Sequence, residues 1–348
     1  MSDVLIRVEN ACGRITLDRP RTLNALTLEM IRAMHKALVD WVENPLVQIV
    51  VVDGSGTRGL CAGGDIRALY DAAVSGQLES ASQFFRDEYR LNALIARYPK
   101  PYVALMDGVV MGGGIGISAH GSHRVVTERS ALAMPETGIG FVPDVGGTYL
   151  LGTAPNELGT YLALTASRIG AADAILCGLA DVFVGSDKLE SLLWQLEQCR
   201  SAAALDVCLS AFAEPPPKGN LPHEESWIRD CFSEPSVERI LAALRAHGTA
   251  EAATAAAEIA NKSPTSLKVT LLALRRARDY NELGACLEQE YGISLACLKN
   301  HDFKEGVRAA IIDKDRNPTW RPATLEEVTE EAVDHYFAEY AGRLQSSF

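Results

Sequence analysis

The order of strand-like and helix-like stretches in the first 190 residues constrains the fold more than any other feature of this sequence. The runs "VLIRVENACGRITLDRP" and "VQIVVVDGSG" predict strands, the first of them a hairpin that turns at Gly13. The stretch "TLEMIRAMHKALVDWVEN" has the apolar spacing of an amphipathic helix, with Thr27 as its N-cap. Strand, strand and helix recur in this order roughly three times. The repetition predicts an α/β fold.

Beyond residue 190 the strand-like runs fade and helical periodicity dominates. The stretches "SVERILAALRAH", "PTSLKVTLLALRRAR" and "LEQEYGISLACLKN" all show it, and the proline-rich "AEPPPKGNLP" is typical of a connector. We therefore expect two parts. Residues 1–190 form a core that carries the functional site, and residues 191–348 form a mostly helical C-terminal region.

Composition and charge argue against several classes of protein. The net charge of −12 makes the chain a poor candidate for binding nucleic acid or an anionic membrane, and it has no apolar run long enough to span a bilayer. The start "MSDVLIRVEN" reads as a strand rather than a targeting leader, so we expect a cytoplasmic protein. The eight cysteines are scattered without a CxxC pair, which predicts buried thiols and neither disulfides nor a metal site.

Two glycine-rich segments, "CAGGDI" and "MGGGIGIS", each follow an apolar strand and each precede a helix. Glycines let the backbone turn tightly, and a helix N-terminus presents free N–H donors and partial positive charge. The two loops together could aim one N–H each at a single negative oxygen, either a phosphate or a developing oxyanion. The alternative is a pair of tight turns that allow close packing of helix on strand.

The second segment also contains a partial dinucleotide-binding fingerprint. Gly114–Ala119 matches GxGxxA, but the acid expected about 20 residues later is missing, because Glu128 comes too early. Ser118 and His120 do not form a nucleophile elbow, because the GxSxG pattern is absent. We expect both to be ordinary helix residues.

The stretch "MPETGIGFVPDVGGTYL" places two carboxylates, Glu136 and Asp144, among residues that otherwise predict burial. A buried carboxylate is unfavourable unless it is paired or used. Two dull alternatives exist. Glu136 could pair with a backbone N–H at the end of a strand, and Asp144 could cap the helix that begins in "VGGTYLL".

Taken in order, "RPRTLNALT", "CAGGDI", "MGGGIGIS" and "MPETGIGFVPDVGGT" resemble the motifs of the crotonase superfamily, which binds acyl-CoA thioesters. The late runs "SPTSLKVTLLALRRA" and "HDFKEGVRAAIIDKDRNPTW" resemble the branch of that superfamily that hydrolyses 3-hydroxyacyl-CoA thioesters. The likeness covers nearly the whole chain. It implies a crotonase-like spiral of repeated ββα units followed by a C-terminal helical region.

The resemblance also implies roles for individual residues. Gly64 and Gly113 match the two oxyanion N–H donors, and Glu136 matches the glutamate that reaches the acyl carbon. Asp144 matches an aspartate of the hydrolase branch, while Gly116 occupies the place where hydratases carry a second glutamate. The backbone that lines the CoA cleft would comprise Leu23, Asn24, Ala25, Leu26, Ala62, Gly63, Asp65 and Ile66.

Two further acids have competing interpretations. Glu88, on the predicted helix "FFRDEYRLN", matches a substrate-contacting glutamate of the hydrolase branch and would accept a hydrogen bond from the 3-hydroxyl. From the sequence alone it would be a solvated helix charge. Asp65 is interpreted first as a plain helix cap and only second as a catalytic residue.

The activity that the resemblance implies is hydrolysis of a short 3-hydroxyacyl-CoA, such as 3-hydroxyisobutyryl-CoA in valine breakdown, to the 3-hydroxy acid and free CoA. No separate cofactor is expected, because coenzyme A is part of the substrate. Two alternatives stay open: an enoyl-CoA hydratase or isomerase, and a non-catalytic acyl-CoA-binding protein. We expect a small-molecule partner, no nucleic acid and no membrane. The superfamily often forms trimers, so a homo-oligomer is a further expectation.

Overall fold

The structure is a computed structural model that describes residues 3–338. Its strands are β1 (Val4–Glu9), β2 (Cys12–Leu17), β3 (Ile49–Gly54), β4 (Tyr102–Met106), β5 (Val109–Met111), β6 (His123–Val126), β7 (Ala131–Ala133) and β8 (Val182–Phe183). The helices of the first half are α1 (Leu28–Val42), α2 (Ile66–Ser75), α3 (Leu78–Ala96), α4 (Gly113–Ser118), α5 (Gly147–Gly152), α6 (Leu158–Thr165) and α7 (Ala171–Leu176).

The helices of the second half follow one another without an intervening strand in the described range. They are α8 (Leu189–Leu196), α9 (Ala202–Phe212), α10 (Leu221–Phe232), α11 (Val237–His247), α12 (Ala250–Ala260), α13 (Pro264–Tyr280), α14 (Leu283–Lys299), α15 (His301–Val307) and α16 (Glu330–Ala338). A π-helical turn, Arg308–Ile312, extends α15. Between residues 3 and 338, no helix is both long enough and apolar enough to cross a bilayer.

The main sheet has six strands in the order β1-β2-β3-β4-β6-β8. The outer pair β1 and β2 is antiparallel, and each later pairing is parallel. The central strand β3 begins with the β-branched run Ile49–Val52, whose four residues are all fully buried. A continuous apolar run is expected there, because both faces of a parallel strand are covered.

The predicted repeat of strand, strand and helix is visible along the chain. It appears as β1-β2-α1, β4-β5-α4 and β6-β7-α5, and β5 pairs with β7 in a second, two-stranded sheet. The unit that starts with β3 has a single full strand, since the place of its second strand is taken by isolated bridges at Gly59 and Cys61. Thr27 caps α1 as predicted, and its side chain accepts a hydrogen bond from Met30 N.

The first hairpin forms, but our prediction that it turns at Gly13 is wrong. The turn lies at Asn10 and Ala11, with Asn10 in the left-handed region at φ 54°. Gly13 lies inside β2 opposite Val8. A Cβ at Gly13 would lie 2.6 Å from the ring of Trp41, so the glycine allows α1 to pack closely on the strand.

The described chain forms two compact units, and neither coincides with the predicted division at residue 190. The first unit holds residues 3–64 together with Arg90–Leu132 and Ile169–Gly219. Its core joins the sheet to α8 and α9, because Leu192, Leu196 and Leu205 pack with the apolar strand residues. Helices beyond residue 190 therefore belong to the sheet-containing unit.

The second unit is helical and draws on three separated stretches of the chain. Within the described range, it holds Asp65–Tyr89, Ala133–Arg168 and residues 220–338. Stacked and tilted aromatic pairs contribute to its interior, with Phe141 lying 5.7 Å from Phe85 and 5.6 Å from Phe303 between ring centroids. The predicted acids Glu88, Glu136 and Asp144 thus fall in this unit.

Candidate active site

The two glycine loops of the first unit lie side by side. Cys61 bridges to Val110, and its carbonyl accepts a hydrogen bond from Met111 N, which aligns the two segments. A Cβ built on Gly63 would lie 3.7 Å from Gly113 N and 3.4 Å from Met111 O. The structure therefore brings together the two loops that the sequence predicted as a pair.

The N–H groups of the two glycines that were predicted as donors make no backbone hydrogen bond to other described residues. Gly113 is the first residue of α4, where an N–H has no intrahelical acceptor. Gly64 bridges to Leu26, but neither Gly64 N nor Gly113 N donates a backbone hydrogen bond to another described residue. The arrangement can offer two donors from adjacent loops to one acceptor.

The segments expected to line the CoA cleft are held against each other by backbone hydrogen bonds. Leu26 N donates to Gly63 O at 2.9 Å, and Ala62 N donates to Leu23 O at 3.0 Å. Some of the expected residues are partly exposed, namely Leu23, Ala25, Ala62, Asp65 and Ile66. The others, Asn24, Leu26 and Gly63, are buried.

The side chain of Asn24 is occupied by the protein itself. Its Nδ2 donates towards the carbonyls of Ser55 and Leu60, each at 3.1 Å, and its Oδ1 accepts from Arg19 N at 2.9 Å. Asn24 also has a left-handed backbone, at φ 55°. Its amide therefore stabilises the loop, and only its backbone is left to contact a ligand.

The second unit gathers the predicted carboxylates into an apolar interior. Glu88 on α3 is 2% exposed, and Glu136 and Asp144 are each 6% exposed. Glu136 opens a 3₁₀ turn, Glu136–Ile139, that follows β7. Within the described chain, Glu88 Oε1 and Glu136 Oε2 are buried and have no protein hydrogen-bond partner. A buried carboxylate oxygen without a hydrogen-bond partner costs free energy of folding. Such oxygens therefore indicate a functional site rather than a purely structural role.

Tyr89 connects Asp144 to a helix far away in sequence. Its hydroxyl donates to Asp144 Oδ2 at 2.8 Å and lies 2.7 Å from Ser294 Oγ. Tyr89 and Ser294 are both fully buried. The carboxylate is therefore oriented by a hydrogen-bonded chain that ends on α14.

The electrostatics of this cluster favour neutral acids. Burial, then Asp144, then Glu136 raise the pKa of Glu88 well above its usual range. Burial and the charge of Asp144 likewise raise the pKa of Glu136. Burial raises the pKa of Asp144 to about 7, although the hydrogen bond from Tyr89 opposes this rise. A carboxylic acid whose pKa lies near 7 can both give and take a proton during catalysis at neutral pH.

Glu290 on α14 is an acid that the sequence analysis did not identify. It is fully buried, and its carboxylate accepts hydrogen bonds from Gly146 N at 2.7 Å and from Thr148 N at 2.8 Å. Burial raises its pKa to about 8 while these donors lower it. The available signal was the four-residue spacing of Glu290 and Ser294, which puts two polar residues on one face of a largely apolar helix.

The structure excludes two of the alternative interpretations, those of Glu88 and Asp144, and is consistent with a third, that of Asp65. Glu88 is not a solvated helix charge, because it is buried. Asp144 is not the N-cap of α5, since Gly146 holds that position. Asp65 does hold the N-cap position of α2, without a cap hydrogen bond from its side chain. Gly116 lies buried inside α4.

The eight cysteines are free thiols, and all are buried except the half-buried Cys208. Among residues 3–338, no group of three or more histidine, cysteine or acidic side chains is arranged to hold a metal ion.

A family model described as "Enoyl-CoA hydratase/isomerase" matches residues 12–337, nearly the whole chain. The chain belongs to this family. The 3-hydroxyisobutyryl-CoA hydrolase, mitochondrial, of Rattus norvegicus is 44% identical over 98% of this chain and 90% of its own length. The protein of the same name from Homo sapiens is 41% identical over 96% of this chain and 88% of its own length.

Solved structures of this enoyl-CoA hydratase/isomerase family share the fold. A structure titled as a carnitinyl-CoA dehydratase from Mycobacterium thermoresistibile has a TM-score of 0.94 at 48% identity, covering 99% of this chain and 98% of that one. A structure titled as an enoyl-CoA hydratase from Rhodobacter sphaeroides has a TM-score of 0.91 at 42% identity, with 97% of both chains covered. The predicted crotonase fold and family membership are confirmed.

Replacing Asp144 by asparagine should stabilise this family member at pH 8. Its pKa, about 7 in the folded state, lies above the ordinary value of 3.8, so the contribution of Asp144 to stability falls as pH rises from about 4 to 7. Asparagine removes the buried charge, and the gain at pH 8 should be on the order of 4 kcal/mol. Thermal melting at pH 5 and pH 8 measures it, with a smaller gain, on the order of 2 kcal/mol, expected at pH 5.

The matched control for this prediction is Asp71→Asn on the exposed side of α2. It removes one aspartate from the same unit without removing a buried charge, so it should leave the pH dependence of melting unchanged. If Asp144→Asn melted at or below the temperature of the parent protein at pH 8, the assignment of a buried, disfavoured charge to Asp144 would be wrong.

Proposed function

We propose that this protein hydrolyses the thioester of 3-hydroxyisobutyryl-CoA, or of a closely similar short 3-hydroxyacyl-CoA, to the 3-hydroxy acid and free CoA. The single observation that carries the proposal is the buried cluster of Glu88, Glu136 and Asp144. It occurs in a chain 40–44% identical to curated relatives named 3-hydroxyisobutyryl-CoA hydrolase. Coenzyme A enters as part of the substrate, and the reaction needs no separate cofactor.

In the proposed mechanism, the ionised form of Glu136 attacks the thioester carbon or activates the water that does so. The N–H groups of Gly64 and Gly113 hold the thioester oxygen as it gains charge, and one such donor is typically worth about 2.7–4 kcal/mol in the transition state. The C–S bond breaks, and Asp144 either places the water or protonates the leaving thiolate. Glu88 accepts a hydrogen bond from the 3-hydroxyl. Water supplies the oxygen of the new carboxylic acid.

The cleft for coenzyme A is proposed to follow the backbone at 23–26 and 62–66. Support comes from the hydrogen bonds that hold these two segments together and from the partial exposure of Leu23, Ala25 and Ala62. A role in valine breakdown is part of the same proposal. A cytoplasmic location and assembly into a homo-oligomer stay predictions, and the curated relatives carry the word mitochondrial in their names.

A hydratase is the second candidate, because two observations favour it. One of the similar solved structures is titled an enoyl-CoA hydratase, and the pair Glu88 and Glu136 offers two buried carboxylates for acid and base work. Against it, Gly116 provides no side chain where hydratases carry their second glutamate. A thiolate is also a good leaving group, with a pKa of about 8.5 by analogy with cysteine, so hydrolysis needs only modest help.

The purified protein should release free thiol from 3-hydroxyisobutyryl-CoA and should not hydrate crotonyl-CoA at a useful rate. A thiol-trapping dye follows the first reaction, and loss of the crotonyl-CoA absorbance follows the second. Hydration leaves the thioester intact, so only a hydrolase liberates CoA. Fast loss of absorbance without thiol would favour the hydratase. Tight binding of both esters without turnover would favour a non-catalytic acyl-CoA-binding protein.

A single turnover in ¹⁸O-labelled water distinguishes the two forms of the mechanism. An anhydride between Glu136 and the acyl group leaves label in the glutamate carboxyl when water attacks the side-chain carbonyl. Direct attack by water places all of the label in the released acid. Mass spectrometry of the peptide that contains Glu136 gives the answer.

A further inference from the structure

In the proposed hydrolysis, Asp144 places the water or protonates the leaving thiolate. One helix, α14, restrains this acid in two ways. From α14, Ser294 reaches its side chain through the hydroxyl of Tyr89. From the same helix, Glu290 holds the backbone just after it, at Gly146 and Thr148. We propose that Tyr89 and Ser294 are positioning residues that set the orientation and charge of Asp144. The inference rests on the proposed function.

The direction of the hydrogen bonds follows from counting protons. An ionised Asp144 is an acceptor only, and a tyrosine has a single O–H, so Tyr89 donates to Asp144 Oδ2. The remaining partner of the Tyr89 oxygen must then be a donor, and Ser294 Oγ at 2.7 Å supplies that proton. The chain therefore runs from Ser294 through Tyr89 to Asp144, and it stabilises the ionised carboxylate.

The hydrogen-bonded chain engages one of the two oxygens of Asp144. Oδ2 is engaged by the hydroxyl of Tyr89, so Oδ1 is the oxygen that the hydroxyl does not occupy. The hydrogen bond from Gly146 N to Glu290 restrains the backbone that follows Asp144. Val145 and Gly146 both have positive φ there, at 54° and 79°. A non-glycine residue in the left-handed region persists only when its surroundings enforce it.

Several titratable groups face Asp144 from the elements around it. They are Glu88 and Tyr89 on α3, Glu136 on its 3₁₀ turn, and Glu290 and Cys297 on α14. Burial opposes ionisation of Asp144, and the negative charge that Asp144 gains raises the pKa of Glu88, Glu136 and Glu290 in turn. The hydrogen bond from Tyr89 acts against the effect of burial on Asp144.

The test is to remove the hydroxyl with Tyr89→Phe and follow the pKa of Asp144. The carboxyl carbons of ¹³C-labelled aspartate are titrated by NMR, with the Asp144 signal identified by its loss in Asp144→Asn. Without its donor, the Asp144 pKa should rise by about one unit or more. Ser294→Ala should give a smaller rise in the same direction. In the Tyr89→Phe background it should add nothing, because Ser294 acts only through the hydroxyl of Tyr89.

The matched control is Tyr291→Phe on α14. Tyr291 is also buried, and its hydroxyl contacts Ser82 and Arg86 rather than an acid. Its substitution should leave the titration of Asp144 unchanged. The limb of the kcat/KM profile that reports Asp144 should move to higher pH in Tyr89→Phe and stay in place in Tyr291→Phe. A general loss of packing would lower the rate without moving the limb.

Each outcome bears on the proposal. An unchanged Asp144 titration in folded Tyr89→Phe overturns it, as does an equal shift in Tyr291→Phe. If Tyr89→Phe does not fold, Ser294→Ala provides the test. An unchanged pKa of Asp144 in Ser294→Ala would overturn the proposal that Ser294 acts on Asp144 through Tyr89. The NMR titration needs no turnover, so it separates failure of the relay from failure of the hydrolase function, which thiol release by the parent protein tests by itself.

Discussion

Glu136→Gln should lower the turnover of 3-hydroxyisobutyryl-CoA at least about a hundredfold while leaving affinity for the CoA ester little changed. Glutamine keeps the shape of the side chain but can neither attack the thioester nor take a proton from water. Such a loss falls on kcat and on kcat/KM alike, as expected for a group needed in the transition state. Steady-state thiol release and equilibrium binding of a non-hydrolysable CoA analogue measure the two quantities.

Glu251→Gln, at an exposed position on α12, is the matched control for this prediction and should retain full turnover. The buried position of Glu136 makes a second check useful. Removing a buried carboxyl from an apolar interior should not destabilise the fold, so the melting temperature of Glu136→Gln should be equal to or above that of the parent protein. Near-normal turnover in the folded variant would exclude Glu136 as the reacting group.

Gly114→Ala should lower turnover by about a hundredfold through its effect on the neighbouring donor. A Cβ at Gly114 would lie 2.4 Å from the carbonyl oxygen of Cys61, so the start of α4 must move away from the loop that carries Gly64. The Gly113 N–H moves with it, and loss of one oxyanion donor typically reduces kcat by about a hundred- to a thousandfold. Thiol release gives kcat, and circular dichroism confirms that the variant is folded.

Gly170→Ala provides the corresponding control in the same unit. Gly170 has a φ of −91°, and an added Cβ would meet no atom within 4 Å. Alanine should therefore be tolerated there with unchanged turnover. If folded Gly114→Ala also kept the parent kcat, the two glycine loops would not supply the oxyanion donors that the proposed mechanism requires.

Much of the fold was accessible from local patterns in the sequence. The predicted hairpin strands β1 and β2, the predicted strand β3 and the predicted helices α1, α3 and α4 are all present, because apolar periodicity reports which face of an element is buried. The position of the hairpin turn was not accessible. Glycine at position 13 signals either a turn or a close approach of a neighbour, and only the packing of Trp41 shows which.

The candidate site was predictable only in part, for a reason that Glu88 illustrates. Its helix was predicted, but a helix pattern does not say whether a charged residue on it meets solvent or another acid. Residues that join the site from α14 were missed altogether, since Ser294 lies 205 positions from Tyr89. The hydrogen-bond partners of these residues lie in segments too far away in sequence for any local pattern to show them.

The sequence by itself determined the order of strands and helices, the two glycine loops and the identity of the acids Glu136 and Asp144. These features depend on local periodicity, on the conformational freedom of glycine and on motifs that lie within a few residues. The tertiary structure alone decided that Glu88 is buried beside two other acids and that α14 holds Asp144. Burial and hydrogen bonding depend on contacts between segments that are distant in sequence. The ionisation of a carboxylate therefore depends on those contacts more than on its neighbours in the chain.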